Sequence, residues 1–598
     1  MKNDVVYITV SDTEGEMMLR EATPVKMTKA TGKNNHTIVI DPTVTDQPML
    51  GMGANLTDTD VYNILRMSRE KQDEVLNALF HPDKGAGWNF LRLPFGSTDW
   101  ERTCEYYTYD DMSPGEKDPE LKYFSVQRDI DRGFFELCRR IKEINPDMLF
   151  MGSVWGVPGW MKTNDSIMFG RFNPNYTDVY ARYLRMAVQA FNEQGIELMA
   201  ITTQNETLTG DDRATPACRF NWRMQKDVLL ALRKEFDEYG ISTEIWAYDH
   251  NFNIAHAFVD PLLEDKEAYA VIDAVAFHDY DGCPTVMGKL KEKYPDMPFY
   301  MTERFMGTVD IMDNYVQQLR NGARSYLQWT IIYDEYGGPH QFLGRPFIYN
   351  KPIDPKRQTF IYNQLNQPDK WFKTPAYGMY AQFTKYIKRD MKRVDSTGGN
   401  KDWLTSVAFT DDNGEIALVS VNQTDEEQHF TLRIGGAEAD LTQPANSVAT
   451  YQILQSDLCL SESCSVDSFP QEVITAPDAF DLEPIEILLD GELSTGNEIK
   501  LSCRVLNSGS LPTPHNATLM VEFSIDGVDE YIGRSTTCIP PIKPNDSIVV
   551  ECNVPIRGKR TWTAEQGYHT LFAQVTIGNT FPEQNRTNNT LGCEVFIR

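Results

Sequence analysis

LMAITTQNE, Leu198 to Glu206, is a short apolar run that closes on polar residues, the pattern of a buried strand whose carboxyl end meets solvent. The pattern returns between about residues 50 and 387 in MLGMGANLTD from Met49, NFLRLPFGS from Asn89, MLFMGSVW from Met148, TEIWAYDH from Thr243, VIDAVAFHDY from Val271, MPFYMTERF from Met297 and ARSYLQWTII from Ala323. Each run is followed by a helical or loop stretch, the rhythm of repeated βα units, and eight is the number a closed (β/α)8 TIM barrel requires. Between the third and fourth runs Tyr180, Tyr183, Leu184, Ala187 and Phe191 fall at helical spacing, as an amphipathic helix covering the barrel would. A doubly wound sheet is the alternative; it would carry a Gly-rich phosphate loop after its first strand, and none is present.

The periodicity changes on both flanks. Past Ile387 strands alternate with turns, as in LTSVAFTDDNGEIALVSVN, where Asp412, Asn413 and Gly414 mark a hairpin. VVYITV and TIVIDP precede the barrel and have no helical partners. They are therefore expected to join residues 388–456, giving a side β-sandwich of 1–45 plus 388–456 beside a barrel of 46–387. A stretch rich in Ser, Asp and Pro reads as a linker over 457–481. From 482 to 598, NEIKLSCRVLN, ATLMVEFSID, DSIVVECNVP and GYHTLFAQVTIG arrive at sandwich spacing. The expected architecture is multidomain: a (β/α)8 TIM barrel plus side β-sandwich, then a separate seven-strand immunoglobulin-like all-β domain.

With 598 residues, 41% hydrophobic and 24% charged, the chain is too ordinary in composition to be disordered, collagen-like or coiled-coil. The 57 basic against 86 acidic side chains leave a net charge of -29, which repels phosphate backbones, so no nucleic-acid partner is expected. No stretch approaches the roughly 18 apolar residues of a transmembrane segment. MKNDVVYITVSDTEG lacks the apolar core of a signal peptide; an extracellular or cell-surface location is expected if a leader has been removed, and a cytoplasmic one otherwise. The ten cysteines form no CxxC pair and leave the redox compartment open.

A barrel's chemistry sits at the carboxyl ends of its strands. The second run supplies Arg92 with Asp99 nearby, the third Trp155, the fourth Asn205 and Glu206, the sixth His278 and Tyr280, the seventh Glu303 and the eighth Trp329. Glu206 and Glu303 are 97 positions apart, about three βα units, which puts them across the barrel mouth. Breaking a glycosidic bond needs one carboxyl group to protonate the leaving oxygen and another to attack or stabilise the anomeric carbon. Alone, either Glu reads as a solvated loop carboxylate, His278 as a structural histidine, and Trp155 or Trp329 as core. Their joint placement, with flat aromatic faces for sugar rings, points to catalysis. His250 and His256 are six apart, and DYDG at 279–282 lacks the distal glutamate of a calcium loop; neither metal nor cofactor is expected.

At these residues the sequence resembles glycoside hydrolase family 30, the glucosylceramidase-like retaining β-glycosidases, over about residues 45–455. The blocks are GMGANLTDTDVYNI from Gly51, WNFLRLPFGSTDW from Trp88, GSVWGVPGWMKTN from Gly152, TTQNE from Thr202, AFHDY from Ala276, MTER from Met301, and QWT with GGP around Trp329 and Gly337. The resemblance implies that Glu206 is the acid/base and Glu303 the nucleophile. It further implies that Asn205 binds the sugar 2-hydroxyl, that Arg92 orients Glu303 and that Tyr280 bonds near it. Asp99, Trp155 and Trp329 then hold the remaining hydroxyls, and His278 lines the site. Where relatives usually carry Asn-Glu-Pro this chain reads Asn205, Glu206, Thr207, which bears on the leaving-group side formed by Leu208 to Phe220.

The substrate so implied is a β-linked glycoside, oligosaccharide or glycolipid, with β-glucosidase, endo-β-1,6-glucanase, β-xylosidase and β-fucosidase activities all in the family. Beyond residue 480 the resemblance is to bacterial adhesion-type sandwich modules, through Asn507, Gly509 and NRTNNT near the end. It implies contact with polysaccharide or the cell surface, or else a stabilising spacer. A non-catalytic carbohydrate-binding or adhesion protein is the competing class, and retention of both glutamates argues against it. A starch-type α-glycosidase would use an earlier aspartate nucleophile and calcium.

Overall fold

The computed structural model describes residues 5–31, 36–103, 105–209, 215–305, 307–338, 341–342, 345–346, 359–397, 399, 403–454, 479–514, 518–527, 531–535, 537–538, 541–555, 560–577 and 588–598. Eight parallel strands close a barrel in chain order: β1 (Gly51–Asn55), β2 (Phe90–Pro94), β3 (Leu149–Ser153), β4 (Ala200–Thr202), β5 (Glu244–Asn251), β6 (Ala274–His278), β7 (Phe299–Glu303) and β8 (Ala323–Gln328). Ser325 of β8 pairs with Gly51 of β1, so the sheet closes and a doubly wound arrangement is excluded. The helix Thr177–Glu193 buries Tyr180, Tyr183, Leu184, Ala187 and Phe191 as its spacing requires.

Alternation along each strand sorts its side chains. Phe90, Met151, Ala200, Trp246, Ala276, Tyr300 and Leu327 point inward and pack as one cluster, with Trp246 and Tyr300 stacked at 4.0 Å between centroids. Leu91, Leu93, Ile201, Val275, Phe277 and Met301 point outward into the main core under the helices. This apolar floor keeps water from below, and the next inward layer toward the carboxyl ends is polar. The site stands on that layer.

The side sandwich is one continuous sheet by hydrogen bonding. Val5–Asp12 runs antiparallel to Ser447–Ile453, with Val6 opposite Ile453, and Thr37–Pro48 lies between Lys392–Ser396 and Gln428–Ile434. Ala408, Leu418 and Ala449 face the sandwich's own core; Val407, Phe409, Val419 and Val448 on the opposite face join the barrel's. Period-two alternation thus buries both faces. In the expected hairpin the Asp411 carboxylate accepts from the backbone N–H of Asn413 and Glu415 at 2.9 and 2.8 Å, and Gly414 takes φ +79°.

The expected linker lies outside the described residues except for Ala479, Phe480 and Asp481, all buried. The C-terminal region is all-β, two sheets around Leu482, Ile499, Leu501, Val505, Val521, Phe523, Ala573 and Ile597. It is not free-standing: Phe572 packs into the barrel's core. Among the described residues no helix is long and apolar enough to cross a membrane.

Candidate active site

The carboxyl ends of the barrel strands open into a cleft of about 460 Å³ whose lining includes Asp99, Trp155, Asn205, Glu206, Tyr280, Glu303 and Trp329. Arg92 and His278 lie directly beneath, fully buried. Each inward position follows from its strand. Phe90 faces in, so Arg92 two residues on does too; Ala276 faces in and so does His278.

Arg92 organises the site. One terminal nitrogen, Nη1, donates to Glu303 Oε2 at 2.7 Å and to Asn55 Oδ1 at 2.8 Å. The other, Nη2, donates to Asn205 Oδ1 at 2.6 Å, Asp249 Oδ2 at 2.7 Å and Ser153 Oγ at 3.0 Å. The guanidinium also stacks over Trp155, 4.4 Å from the ring centroid. Asn205 accepts from Arg92 through its oxygen, so its NH2 is the end left for the cleft that Asn205 lines. Tyr280 donates its hydroxyl to Glu303 Oε1 at 2.9 Å. Glu303 therefore has both oxygens held by donors, an arrangement that suits an ionised carboxylate.

Glu206 sits in the left-handed region at φ +47°, a conformation that costs a non-glycine residue about 1 to 3 kcal/mol. Its backbone N–H donates to the Asp249 carbonyl at 2.9 Å, and its carboxylate stands 3.5 Å from His278 Nδ1. Acceptor or ligand atoms of Glu206, His278 and Glu303 all fall within 4.8 Å of one another. Among the described residues this is the grouping whose spacing would suit a metal. Yet each imidazole nitrogen already faces a carboxylate, Nε2 lying 3.2 Å from Asp249 and Nδ1 between the two glutamates.

Burial pushes the His278 imidazole down, but Glu303, Asp249 and Glu206 outweigh it and carry the pKa up to about 9. Burial likewise raises the Glu303 carboxyl; His278 and Arg92 pull it back, Glu206 pushes it further, and the net direction is up. Two carboxyls this close titrate as a pair. Asp249 is also fully buried, yet Arg92 and His278 hold it far below the usual carboxylate range. The raised His278 pKa carries a sign: its stabilisation is complete below the unfolded pKa near 6.5 and is lost as pH rises through about 9. We expect the melting temperature of the native protein to fall over that window, and to fall less in His278→Gln; parallel profiles would show that His278 is neutral when folded.

No site residue is expected on β5 from the sequence, where His250 alone is weighed, as a metal ligand, and set aside, yet Asp249 is the hub. Besides Arg92 it binds Thr202 Oγ1 at 2.6 Å, Thr302 Oγ1 at 2.7 Å and Ser153 Oγ at 3.1 Å, each hydroxyl donating. Trp246 faces in, so strict alternation would turn Asp249 outward. A register shift at Tyr248–His250, with left-handed Tyr248 (φ +73°) and Asp249 (φ +63°), is a bulge that turns it inward. Ser153 and Thr202 obeyed alternation and could have been found from it.

On one side of the mouth Trp155 and Trp329 lie 5.4 Å apart between centroids and Trp100 stacks on Tyr333 at 4.8 Å, with Asp99 beside them in the cleft. The other side is built by Thr209, Thr215, Pro216, Ala217, Asn251, Asn253 and Asp281. Part of the expected Leu208–Phe220 wall, residues 210–214, lies outside the described residues. Thr207, which stands where relatives have proline, is fully buried, and its carbonyl accepts from the Phe220 N–H at 2.7 Å, tying the two ends of that wall together.

Comparison with known proteins gives three domain matches: the glycosyl hydrolase family 30 TIM-barrel domain over residues 49–349, the glycosyl hydrolase family 30 beta sandwich domain over 391–451, and CARDB over 479–592. Endo-1,6-beta-D-glucanase BGN16.3 of Trichoderma harzianum is 27% identical over 457 residues, 72% of this chain and 89% of that protein. "Putative glucosylceramidase 4" of Caenorhabditis elegans is 25% identical over 458 residues, 71% and 84%. Among solved structures, the endo-beta1,6-glucanase BT3312 is 24% identical with a TM-score of 0.67, covering 75% of this chain and all of that one. That last likeness is one of fold.

Proposed function

Because this chain belongs to glycosyl hydrolase family 30 and is a glycoside hydrolase, we propose that it cleaves β-D-glucosides with retention, Glu303 serving as nucleophile and Glu206 as acid/base. The observation that carries this reading is the close pair: carboxylate atoms within 4.8 Å, near the roughly 5 to 5.5 Å separation of retaining enzymes, with Arg92 and Tyr280 both donating to Glu303.

A water does not fit between carboxyls so placed, so the first displacement is direct. Glu303, held by its two donors, attacks the anomeric carbon while Glu206 gives its proton to the departing oxygen. The Asn205 NH2 meets the sugar 2-hydroxyl. His278, whose pKa is raised to about 9, offsets the negative charge on Glu303 before the first displacement and on Glu206 after it. With the leaving group gone, Glu206 takes a proton from an entering water, which breaks the glycosyl-Glu303 ester and restores the β-configuration.

The proton donor faces the leaving group, so this group lies on the Glu206 side, against the loops after β4 and β5. Thr209, Thr215, Asn251, Asn253 and Asp281 line that side, and hydroxyl and amide groups match a sugar better than the apolar tails of a glycolipid. Together with the endo-1,6-beta-D-glucanase names of two fungal relatives, this favours a β-1,6-linked glucan or its oligosaccharides. Such a polymer would place the work outside the cytoplasm or at a cell surface.

The test is a panel of β-1,6-glucan, glucosylceramide micelles, xylan, an aryl β-fucoside and aryl α- and β-glucosides. We expect kcat/KM on β-1,6-linked glucose to exceed that on glycolipid, xylan and fucoside by about 10-fold or more, with no α-glucoside cleavage. A faster glycolipid, xylan or fucoside would overturn the substrate, and α-glucoside cleavage the reaction.

A further inference from the structure

The C-terminal sandwich sits where the leaving group must go. Its strand Gly567–Ile577 alternates: Leu571, Ala573 and Val575 fill the sandwich, while Phe572 turns the other way into the barrel core. Gln574, on the same face as Phe572, lines the catalytic cleft alongside Glu206, Asn251 and Asn253. Opposite Phe572 in the sheet is Gly592, where a Cβ would come within 2.3 Å of Ala257 Cβ on the barrel helix Ala255–Glu264. Only a backbone without a side chain seats this closely.

Two polar clasps hold the contact. Arg223, in the first turn of the helix Trp222–Tyr239, donates to both oxygens of Glu594 at 2.8 and 2.6 Å. Arg171 pairs with Asp526 at 3.1 Å, and the same carboxylate oxygen meets His569 Nδ1 at 2.8 Å. The backbone around Arg171 pairs with Arg219, whose N–H donates to the Gly170 carbonyl at 2.9 Å and whose carbonyl accepts from the Phe172 N–H at 3.1 Å, so this clasp bears on the segment that carries Thr215, Pro216 and Ala217 into the cleft. The module thus braces the leaving-group loops and adds a side chain beyond them.

We propose that the C-terminal sandwich, through its strands Gly567–Ile577 and Thr590–Ile597, forms a fixed wall of the active-site cleft, with the Gln574 amide completing the subsite for the leaving-group sugars. This rests on Glu206 being the acid/base, because that assignment puts the leaving group on this side. The inference differs from a tethered module that only attaches the enzyme to a surface: a tether leaves the cleft unchanged, whereas a wall alters which substrates are preferred.

The test compares, in the intact chain, kcat/KM on the β-linked tetrasaccharide cleaved fastest with kcat/KM on 4-nitrophenyl β-glucoside, whose leaving group carries no sugar hydroxyls for the Gln574 amide. In Gln574→Ala the ratio should fall about 3- to 10-fold, the worth of one hydrogen bond. Arg223→Glu, which sets two negative charges against each other at the clasp, should lower it similarly, and adding Glu594→Arg should restore it. A ratio unmoved by Gln574→Ala, or both substrates losing activity equally, overturns the proposal while leaving the two-glutamate reaction standing. A wild-type protein that cleaves no β-glycoside overturns both.

Discussion

Glu303→Ala is expected to abolish turnover on every substrate, by at least about 10⁴-fold, because it removes the carboxylate that forms the glycosyl ester. Even a dinitrophenyl glucoside, which departs without a proton, should stall at this first step. Glu206→Ala should differ. With dinitrophenyl as leaving group the ester still forms, and it accumulates because nothing activates water. Azide needs no base. It should enter the space vacated by Glu206, restore turnover and yield the β-glucosyl azide after two inversions. In Glu303→Ala azide can attack only once, from the nucleophile's side, and any product should be the α-azide. Proton NMR of the two azides decides between the roles; the reverse pairing would exchange Glu206 and Glu303.

A second large effect is expected beneath the cleft. Asp249→Asn keeps the shape but removes the charge that Arg92 and His278 both face. Breaking a fully buried ion pair from one side costs about 3 to 5 kcal/mol, since the remaining charge loses its partner in a medium that cannot solvate it. In the native protein the depressed Asp249 pKa supplies stability above the ordinary aspartate pKa of 3.8, and acid removes it as the pH falls through the folded value; the variant should lose this acid dependence. His278 should titrate lower than it does beside Asp249, one of the charges that raise its pKa, and displacement of Arg92 should cost about 10²-fold in kcat/KM. A stability loss under about 1 kcal/mol, with an unmoved His278 titration, would show that the hub is not electrostatic.

Why Glu206, Glu303, Arg92 and His278 could be picked out in the sequence, and Asp249 could not, is a matter of strand geometry. Arg92 and His278 stand two residues past inward-facing Phe90 and Ala276, so alternation carries their direction. Glu206 and Glu303 are marked instead by closing an apolar run with a carboxylate, Glu303 lying past a register shift against β6. Asp249 is reached through a bulge that reverses the alternation, and nothing in TEIWAYDH marks the extra residue. The C-terminal module shows a different limit. Its strands and core follow from spacing, but the sequence reading makes it a separate unit. Leu571, Phe572 and Ala573 are three consecutive apolar residues, which a strand with one solvent face does not need; Phe572 was the sign of a second buried face. Which surface covered it depended on the folded barrel.

The pairing of Val5–Asp12 with Ser447–Ile453 imposes an order on synthesis. Val5–Asp12 is made about 440 residues before Ser447–Ile453, and at roughly 5 to 20 residues per second that is a wait of about 20 to 90 s. Through this interval Val5–Asp12 has only the two-residue strands Arg20–Glu21 and Val25–Lys26 to pair with, while the eight βα units between it and Ser447–Ile453 can each close locally. The barrel therefore has time to form before the sandwich that flanks it, and the edge of Val5–Asp12 that later meets Ser447–Ile453 stays open for a chaperone through that wait.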